Sequence, residues 1–405
     1  MSTFITRLIA FSIGLAAFVS AGNSFAQDID PEMTDGDDEA EDKIREVPSY
    51  QLTAVDGWNL EVSGYLRTRY TRIQNDPDIE QFGRHDGFTL ENARLEINGE
   101  YDDIGFRFEI DGAVDRVSGN PDMPVADVVA RLKDAFGYYQ PLPWGRLSIG
   151  QFEPPFDVAE LRPTEELLFV SQPVVSRGVQ GIEGYNVEGL SIARQVGIRL
   201  DSGEPFYFQS DYGPGVSYSL AVTNGQSANK NLNDNDKLAY YGRAAFHYGP
   251  WVKLGGAAFL NDRTIGVRPN SINRQETGWT ADLTLEYADL TVSGNLVQTT
   301  YEPEIDVESA RTAFGWHAQV GYEEPYIGLQ PAYRLSNFDP SSSVGDEDTK
   351  SLVFENDALT YHTFGLNYDL EQYPVRLMVN YTVTGEQQQR QLKNDRFDAL
   401  VQLEW

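Results

Sequence analysis

Apolar and polar residues alternate along most of this chain after residue 58, with the period of two that a β-strand imposes on its faces. The alternation is most regular over 375–384. It recurs over 395–405, where only Leu400 interrupts it and where the sequence ends on Trp405. An amphipathic strand that ends on an aromatic residue is typical of an outer-membrane β-barrel, although a soluble β-protein is an alternative for this stretch alone.

Sixteen segments with this alternation are predicted as strands, and polar turn residues separate them. They span 60–72, 93–101, 104–111, 128–139, 146–152, 192–200, 216–223, 238–248, 251–259, 279–287, 290–299, 313–322, 328–337, 361–370, 375–384 and 394–405. The alternation is weakest at 128–139 and 192–200. Connections are mostly short after even-numbered strands and longer and polar after odd-numbered ones. The connection 201–215 is an exception, because it follows an even-numbered strand and is long.

This asymmetry of connections indicates a membrane barrel, because a soluble sandwich has no reason to alternate its loops. The sequence therefore predicts an all-β fold, a 16-stranded antiparallel transmembrane β-barrel with an inward-folded third extracellular loop. Its apolar parity would face lipid and its polar parity the lumen. Short turns would lie on the periplasmic side and long loops outside.

The first residues form a signal for export. A basic residue, Arg7, precedes the apolar run 8–19, and small residues follow up to Ala26. We therefore predict a signal peptide at 1–26, an acidic and disordered periplasmic segment at 27–57, and a transmembrane β-barrel domain at 58–405. The expected location is the outer membrane of a Gram-negative bacterium.

Composition supports this interpretation. The chain has no cysteine, so disulfide and thiolate chemistry are excluded, and 12% of its residues are aromatic, a supply for interfacial girdles. The net charge of −31 argues against nucleic acid as a partner, because phosphates would be repelled. We expect no cofactor and no metal site.

The third long connection lies between Gln151 and Ser191. A wide lumen needs a constriction to be size-selective, and a loop folded inward supplies one. A short helix is expected after Thr164, and the apolar run 167–170 is expected to pack on the inner wall. The alternative is a plain extracellular loop.

The segment 147–156, L-S-I-G-Q-F-E-P-P-F, resembles the phosphate-selective porin O/P family. Further matching pieces occur in the same order over residues 60 to 405, among them 132–136, 217–225 and 375–381. The resemblance implies a sixteen-stranded trimeric porin in contact with membrane lipid and lipopolysaccharide. In that family, arginines and lysines along the pore give anion preference.

The basic residues on the lumen parity and in the third loop are matched by about as many acids, and that loop contains no lysine. The candidate pore-lining and constriction residues are Arg67, Arg69, Arg94, Arg107, Arg162, Arg177, Arg243, Lys253, Arg334, Arg376, Glu109 and Glu160. Opposite charges that cancel across the wall predict a general pore for small hydrophilic solutes or inorganic anions. Phosphate specificity and a transverse field between arginines and loop acids remain alternatives.

Two other functions are open. An enzyme within a barrel would need a catalytic arrangement, but His85, His247, His317 and His362 are scattered and form no metal or nucleophile motif. We therefore expect no enzyme activity. A barrel without an open channel, serving as a structural or cation- or partner-binding protein, is the remaining alternative.

Overall fold

The structure is a computed structural model that describes residues 50–405. The exceptions are 54–56, 77–85, 115–127, 180–182, 184–186, 209, 211, 227–229, 231, 267–270, 305–309, 343–357, 371–372 and 387–391. The predicted signal peptide and most of the predicted acidic segment lie outside the described residues. His85 lies outside them as well.

Sixteen long strands, β1 to β16, form the fold. Their bounds are Asn59–Ile73, Gly87–Tyr101, Ile104–Val114, Val128–Leu142, Gly145–Phe152, Gln195–Asp201, Pro214–Thr223, Ala239–Tyr248, Val252–Ile265, Ile272–Tyr287, Leu290–Pro303, Arg311–Tyr322, Leu329–Asp339, Leu359–Leu370, Val375–Glu386 and Arg396–Glu404. Each of the sixteen predicted segments overlaps one of them. Several strands extend beyond the alternating segment, because backbone pairing continues where the side-chain pattern has ended.

The strands close into an antiparallel barrel. Each pairs with its neighbours in sequence, and β16 pairs with β1 from Arg396 opposite Ile73 to Glu404 opposite Tyr65. Backbone hydrogen bonds between Gly64 and Trp405, of 2.9 and 3.0 Å, extend this seam to the last residue. Closure leaves no unpaired sheet edge, as a barrel in lipid requires.

Short pieces of strand lie outside this pattern. Tyr50–Thr53 pairs with β1, so pairing begins before the predicted start of the barrel domain. Phe206–Tyr207 pairs with the start of β7. It lies within 201–215, the one long connection on the side of the barrel that carries the short turns. Gly178–Val179 and Val187–Glu188 pair with each other.

The short turns have backbone conformations that fit two-residue hairpins. Asp102, Ala288 and Gly249 have φ values of 49°, 51° and 51°. Such left-handed positions match the twist of the flanking strands in tight hairpins. The turn predicted at 102–103 is present, and the left-handed backbone of Asp102 fits a tight hairpin there.

The two faces of the strands differ as the alternation predicts. In β16, Arg396, Asp398, Gln402 and Glu404 are buried on the inside, whereas Val401 is 49% exposed on the outside. Leucine, isoleucine, valine and aromatic side chains dominate the outer surface. Among the described residues, no helix has the length and hydropathy to cross a membrane.

Candidate permeation pathway

The connection between β5 and β6, residues 153–194, is termed the third loop here and folds into the lumen. It carries two helical turns, α1 (Val158–Leu161) and α2 (Val174–Arg177), with a 3-10 turn at Thr164–Glu166 between them. The helix expected after Thr164 is thus only the 3-10 turn. The α-helical turn begins earlier, because Asp157 caps it by accepting a hydrogen bond from the Ala159 N–H at 3.1 Å.

Apolar packing holds this loop to one side of the lumen. Val170 packs with Met378 and Leu400, and Leu168 and Phe169 pack with Ala332. The predicted burial of the run 167–170 is therefore confirmed. We call the lumen-facing surface of β12–β16 that receives the loop the docking wall.

The docking wall is shaped for close approach. Phe338 and Leu359 belong to the same apolar cluster as Val174 and Val175 of α2. A Cβ atom at Gly315 would lie 2.5 Å from the Val175 Cγ2 atom, so only glycine leaves room for α2 there. The glycine and the apolar side chains together fit the wall to the loop.

Hydrogen bonds from the barrel hold the backbone of the loop. Arg67 donates to the Val170 carbonyl at 3.0 Å, and Arg334 donates to the Ser171 carbonyl at 2.9 Å. Asn380 Oδ1 accepts from the Val170 N–H at 2.7 Å. These bonds satisfy backbone groups that packing has removed from water, and they use two arginines for a structural purpose.

Asp157 links α1 to the barrel. Its Oδ1 atom also accepts a hydrogen bond from Asn295 Nδ2 at 2.7 Å. Only 2% of the residue is exposed, and burial raises the pKa of Asp157 to about 6.

Another part of the lumen wall, separated from the docking wall by β1, is charged. Arg94 lies 3.0 Å from Glu109 and 3.1 Å from Asp111, and Arg107 contacts Glu109 at 3.1 Å and Asp134 at 3.6 Å. We call these five residues of β2–β4 the charged wall. Each of its arginines has carboxylate partners, so most of its positive charge is compensated locally.

In the described part of the chain, two cavities of several hundred Å³ lie beside the loop. The first, of about 770 Å³, reaches Asn59 and Glu100 next to the short turns. The second, of about 520 Å³, reaches Arg263 and Arg274 toward the long connections. Five residues line both, and we call this meeting place the junction: Lys133, Glu160, Gln172, Arg177 and Arg194.

Eight of the twelve predicted site residues line the first cavity. They are Arg67, Arg69, Arg94, Arg107, Glu109, Glu160, Arg162 and Arg177. Glu160 and Arg177 also line the second and lie at the junction.

The other four predicted residues, Arg243, Lys253, Arg334 and Arg376, line neither of these cavities. Arg243 forms a two-bond pair with Asp282, of 2.7 and 2.8 Å, and Arg376 pairs with Asp369 at 2.9 Å. Arg334 lies beneath the third loop. Strand parity placed these side chains inside the barrel, but parity does not tell which inward positions the loop or an ion pair covers.

Sequence reasoning missed Lys133 and Arg194. Lys133 and Asp134 stand together opposite Glu109, because the pairing of β3 and β4 shifts register between Phe108 and Ile110. Such a bulge directs two consecutive side chains into the lumen. The broken alternation at 128–139 is the sequence signal of this bulge.

Three comparisons with known proteins bear on the fold. No protein-family model and no curated protein matches the sequence. Solved structures do match. OmpT from the outer membrane of Vibrio cholerae is 10% identical with a TM-score of 0.57, covering 88% of this chain and 100% of that one.

The outer membrane channel DcaP of Acinetobacter baumannii is 13% identical with a TM-score of 0.57, covering 88% of this chain and 99% of its own. An anion-selective porin from Comamonas acidovorans is 12% identical with a TM-score of 0.54, covering 86% and 100%. At these identities the likeness establishes the fold, a closed 16-stranded antiparallel barrel of the outer-membrane type.

Proposed function

We propose that this protein is an outer-membrane porin, a water-filled channel for passive diffusion of small hydrophilic solutes and ions. The observation that carries the proposal is the pair of polar cavities meeting beside the third loop inside a closed barrel. A loop that narrows a wide lumen without filling it is suited to size selection.

The outer surface supports placement in a membrane. Exposed aromatic residues such as Trp144, Tyr287 and Tyr373 lie beside the short turns, and Phe88, Trp279 and Tyr381 lie nearer the long connections. Aliphatic side chains fill the band between them, as two interfacial girdles around an apolar belt would require. We propose the outer membrane of a Gram-negative bacterium, with lipid and lipopolysaccharide around the barrel and the short turns in the periplasm.

A homotrimer is part of the same proposal. It rests on the resemblance to the phosphate-selective porin O/P family. One solved OmpT structure of the same fold is described as a trimer form, which is a statement about that protein.

We propose weak selectivity for this channel in place of strong phosphate specificity. Along the first cavity, Arg94 and Arg107 are paired with carboxylates, and Arg67 is engaged by loop carbonyls. Guanidinium groups already engaged in this way are less available to phosphate oxygens. The resemblance to the phosphate-selective porin O/P family therefore does not imply its selectivity here.

Planar bilayers with purified protein test the proposal. We expect stable conductance steps, a small reversal potential in a KCl gradient, and no block by added phosphate. A strongly anion-selective reversal potential with phosphate block would contradict weak selectivity. Absence of conductance steps would favour the rival structural barrel.

One contact resembles a catalytic pair, but the charges around it favour a structural role. Ser217 Oγ and His247 Nε2 are 2.8 Å apart. The charges that act on His247 are Lys253 and Arg243, both cationic. A serine–histidine–carboxylate triad uses a carboxylate to orient the histidine and to stabilise the imidazolium. Among the described residues no carboxylate acts on His247, so we propose that this pair is structural. Among the described residues, no group of three or more His, Asp or Glu side chains is arranged to hold a metal ion.

A further inference from the structure

The junction differs from the rest of the pathway in how its charges are satisfied. Arg177 forms two hydrogen bonds with Glu183, of 2.7 and 2.8 Å. Arg194 lies 2.7 Å from Asp134 and 3.2 Å from Glu153. These two cations are therefore compensated by neighbours, and Gln172 carries no charge.

Lys133 and Glu160 are the exceptions. Within the described part of the chain, neither side chain makes an ion pair or a hydrogen bond, and both line both cavities. Lys133 belongs to β4 in the barrel wall, and Glu160 belongs to α1 of the third loop. Other charges close to Lys133 are Arg194, Arg94 and Asp111. These three are already engaged in ion pairs, unlike Glu160.

Their position has a consequence for solutes. Any solute that passes from one cavity to the other meets an ammonium group on the wall and a carboxylate on the loop. A simple anion or cation is attracted by one group and repelled by the other. A solute that carries both charges is attracted by both when it lies across the junction.

We infer that the junction makes this channel selective for small zwitterions, the class that includes amino acids, with Lys133 and Glu160 as the specificity-determining residues. The inference rests on the proposed channel function. It also explains how a pore with little net selectivity between simple ions can still discriminate among solutes.

Swelling of proteoliposomes measures this directly. The probes are γ-aminobutyrate as the zwitterion and 4-hydroxybutanamide as a neutral solute of similar size. For the wild-type protein we expect the zwitterion to enter about 5-fold to 10-fold faster than the neutral solute, as focusing by unscreened charges allows. The ratio should fall as salt is added, because mobile ions screen both groups.

Variants assign the effect to the two residues. Lys133→Gln or Glu160→Gln should bring the ratio close to one, and the exchanged double variant K133E/E160K should restore it. In planar bilayers the single variants should shift the reversal potential in opposite directions, toward cations for Lys133→Gln and toward anions for Glu160→Gln. The matched controls Lys237→Gln and Glu323→Gln remove the same charges outside both cavities and should keep the wild-type ratio.

The outcomes separate the inference from the channel proposal. Entry of the neutral solute without preference for the zwitterion, or a preference that persists in both single variants, would overturn the inference and leave the porin intact. Absence of swelling with the neutral solute, together with absence of conductance, would overturn both. Entry of the neutral solute at the wild-type rate in each single variant shows that it folds, because a misfolded barrel would form no channel.

Discussion

The charged wall and the docking wall are built from the same alternating strands and face the same lumen, but they carry different chemistry. Arg94 of the charged wall has two carboxylate partners, whereas Arg334 of the docking wall has none within ion-pair distance among the described residues. The docking wall instead presents Met378 and Leu400 to the loop. Inward positions beneath the third loop are therefore apolar or, like Arg334, donate to backbone carbonyls of the loop in place of carboxylates.

An arginine at an inward strand position therefore serves one of two purposes in this barrel. On the charged wall, arginine is part of an ion-pair network beside the water-filled cavities. On the docking wall, Arg334 donates to the Ser171 carbonyl and lies 4.4 Å from the centre of the Phe169 ring. The second use stabilises the loop and engages the Arg334 guanidinium beneath it.

The largest expected effect comes from removing one arginine on each wall. Arg94→Met leaves Asp111, which is fully buried, without its ion-pair partner and should cost about 3–5 kcal/mol of unfolding free energy. Arg334→Met leaves only carbonyl groups unpaired and should cost about 1–3 kcal/mol. Urea unfolding in detergent micelles measures both, and equal losses would refute the distinction between the walls.

A pH effect should follow from Asp157, which ties the loop to the barrel. The native carboxyl takes up a proton at about pH 6, and an ordinary carboxyl does so near 3.8. The native state thus binds the proton first, so the unfolding free energy should rise by up to about 3 kcal/mol as the pH falls from 7 to 4.

Other carboxyl groups titrate in the same range, so the test is a difference between proteins. Asp157→Asn should remove this contribution from the pH profile, and Asp289→Asn, at an exposed short turn, should not. Profiles of the two variants that coincide would contradict the assignment to Asp157.

A smaller effect distinguishes the two faces of β16. Leu400 is 2% exposed against Val170 and Met378, so Leu400→Ala should cost about 2–4 kcal/mol through the cavity it creates. Leu403, on the same strand, is 40% exposed and Leu403→Ala should cost less. Unfolding of both variants in one micelle system makes the comparison, and a larger loss at Leu403 would invert the assignment of faces.

The smallest expected change lies at the seam between β16 and β1. Deletion of Trp405 removes two backbone hydrogen bonds to Gly64, each worth about 1 kcal/mol. We expect less heat-modifiable folded protein in isolated outer membranes, with Leu403→Ala as a comparison that keeps the seam intact. An unchanged amount of folded protein would show that Trp405 is dispensable for closure.

Much of the fold could be predicted because its signal is local. Period-two alternation specifies which residues of a strand share a face, and the alternating lengths of the connections specify an even, antiparallel barrel. The inward fold of the third loop was also predictable, because the apolar run 167–170 needs burial. Leu400 appeared as an error in the pattern, and the structure identifies it as a contact of that loop.

The strands, their faces and the inventory of charges in the lumen follow from local sequence patterns. Which charges pair, which lie beneath the loop and which meet at the junction depends on how the barrel folds. The physical reason is distance along the chain: strand alternation spans a few residues, but Arg334 and Ser171 meet across 163 positions. The bulge that brings Lys133 toward Glu160 likewise depends on how two strands are registered, which no single strand encodes.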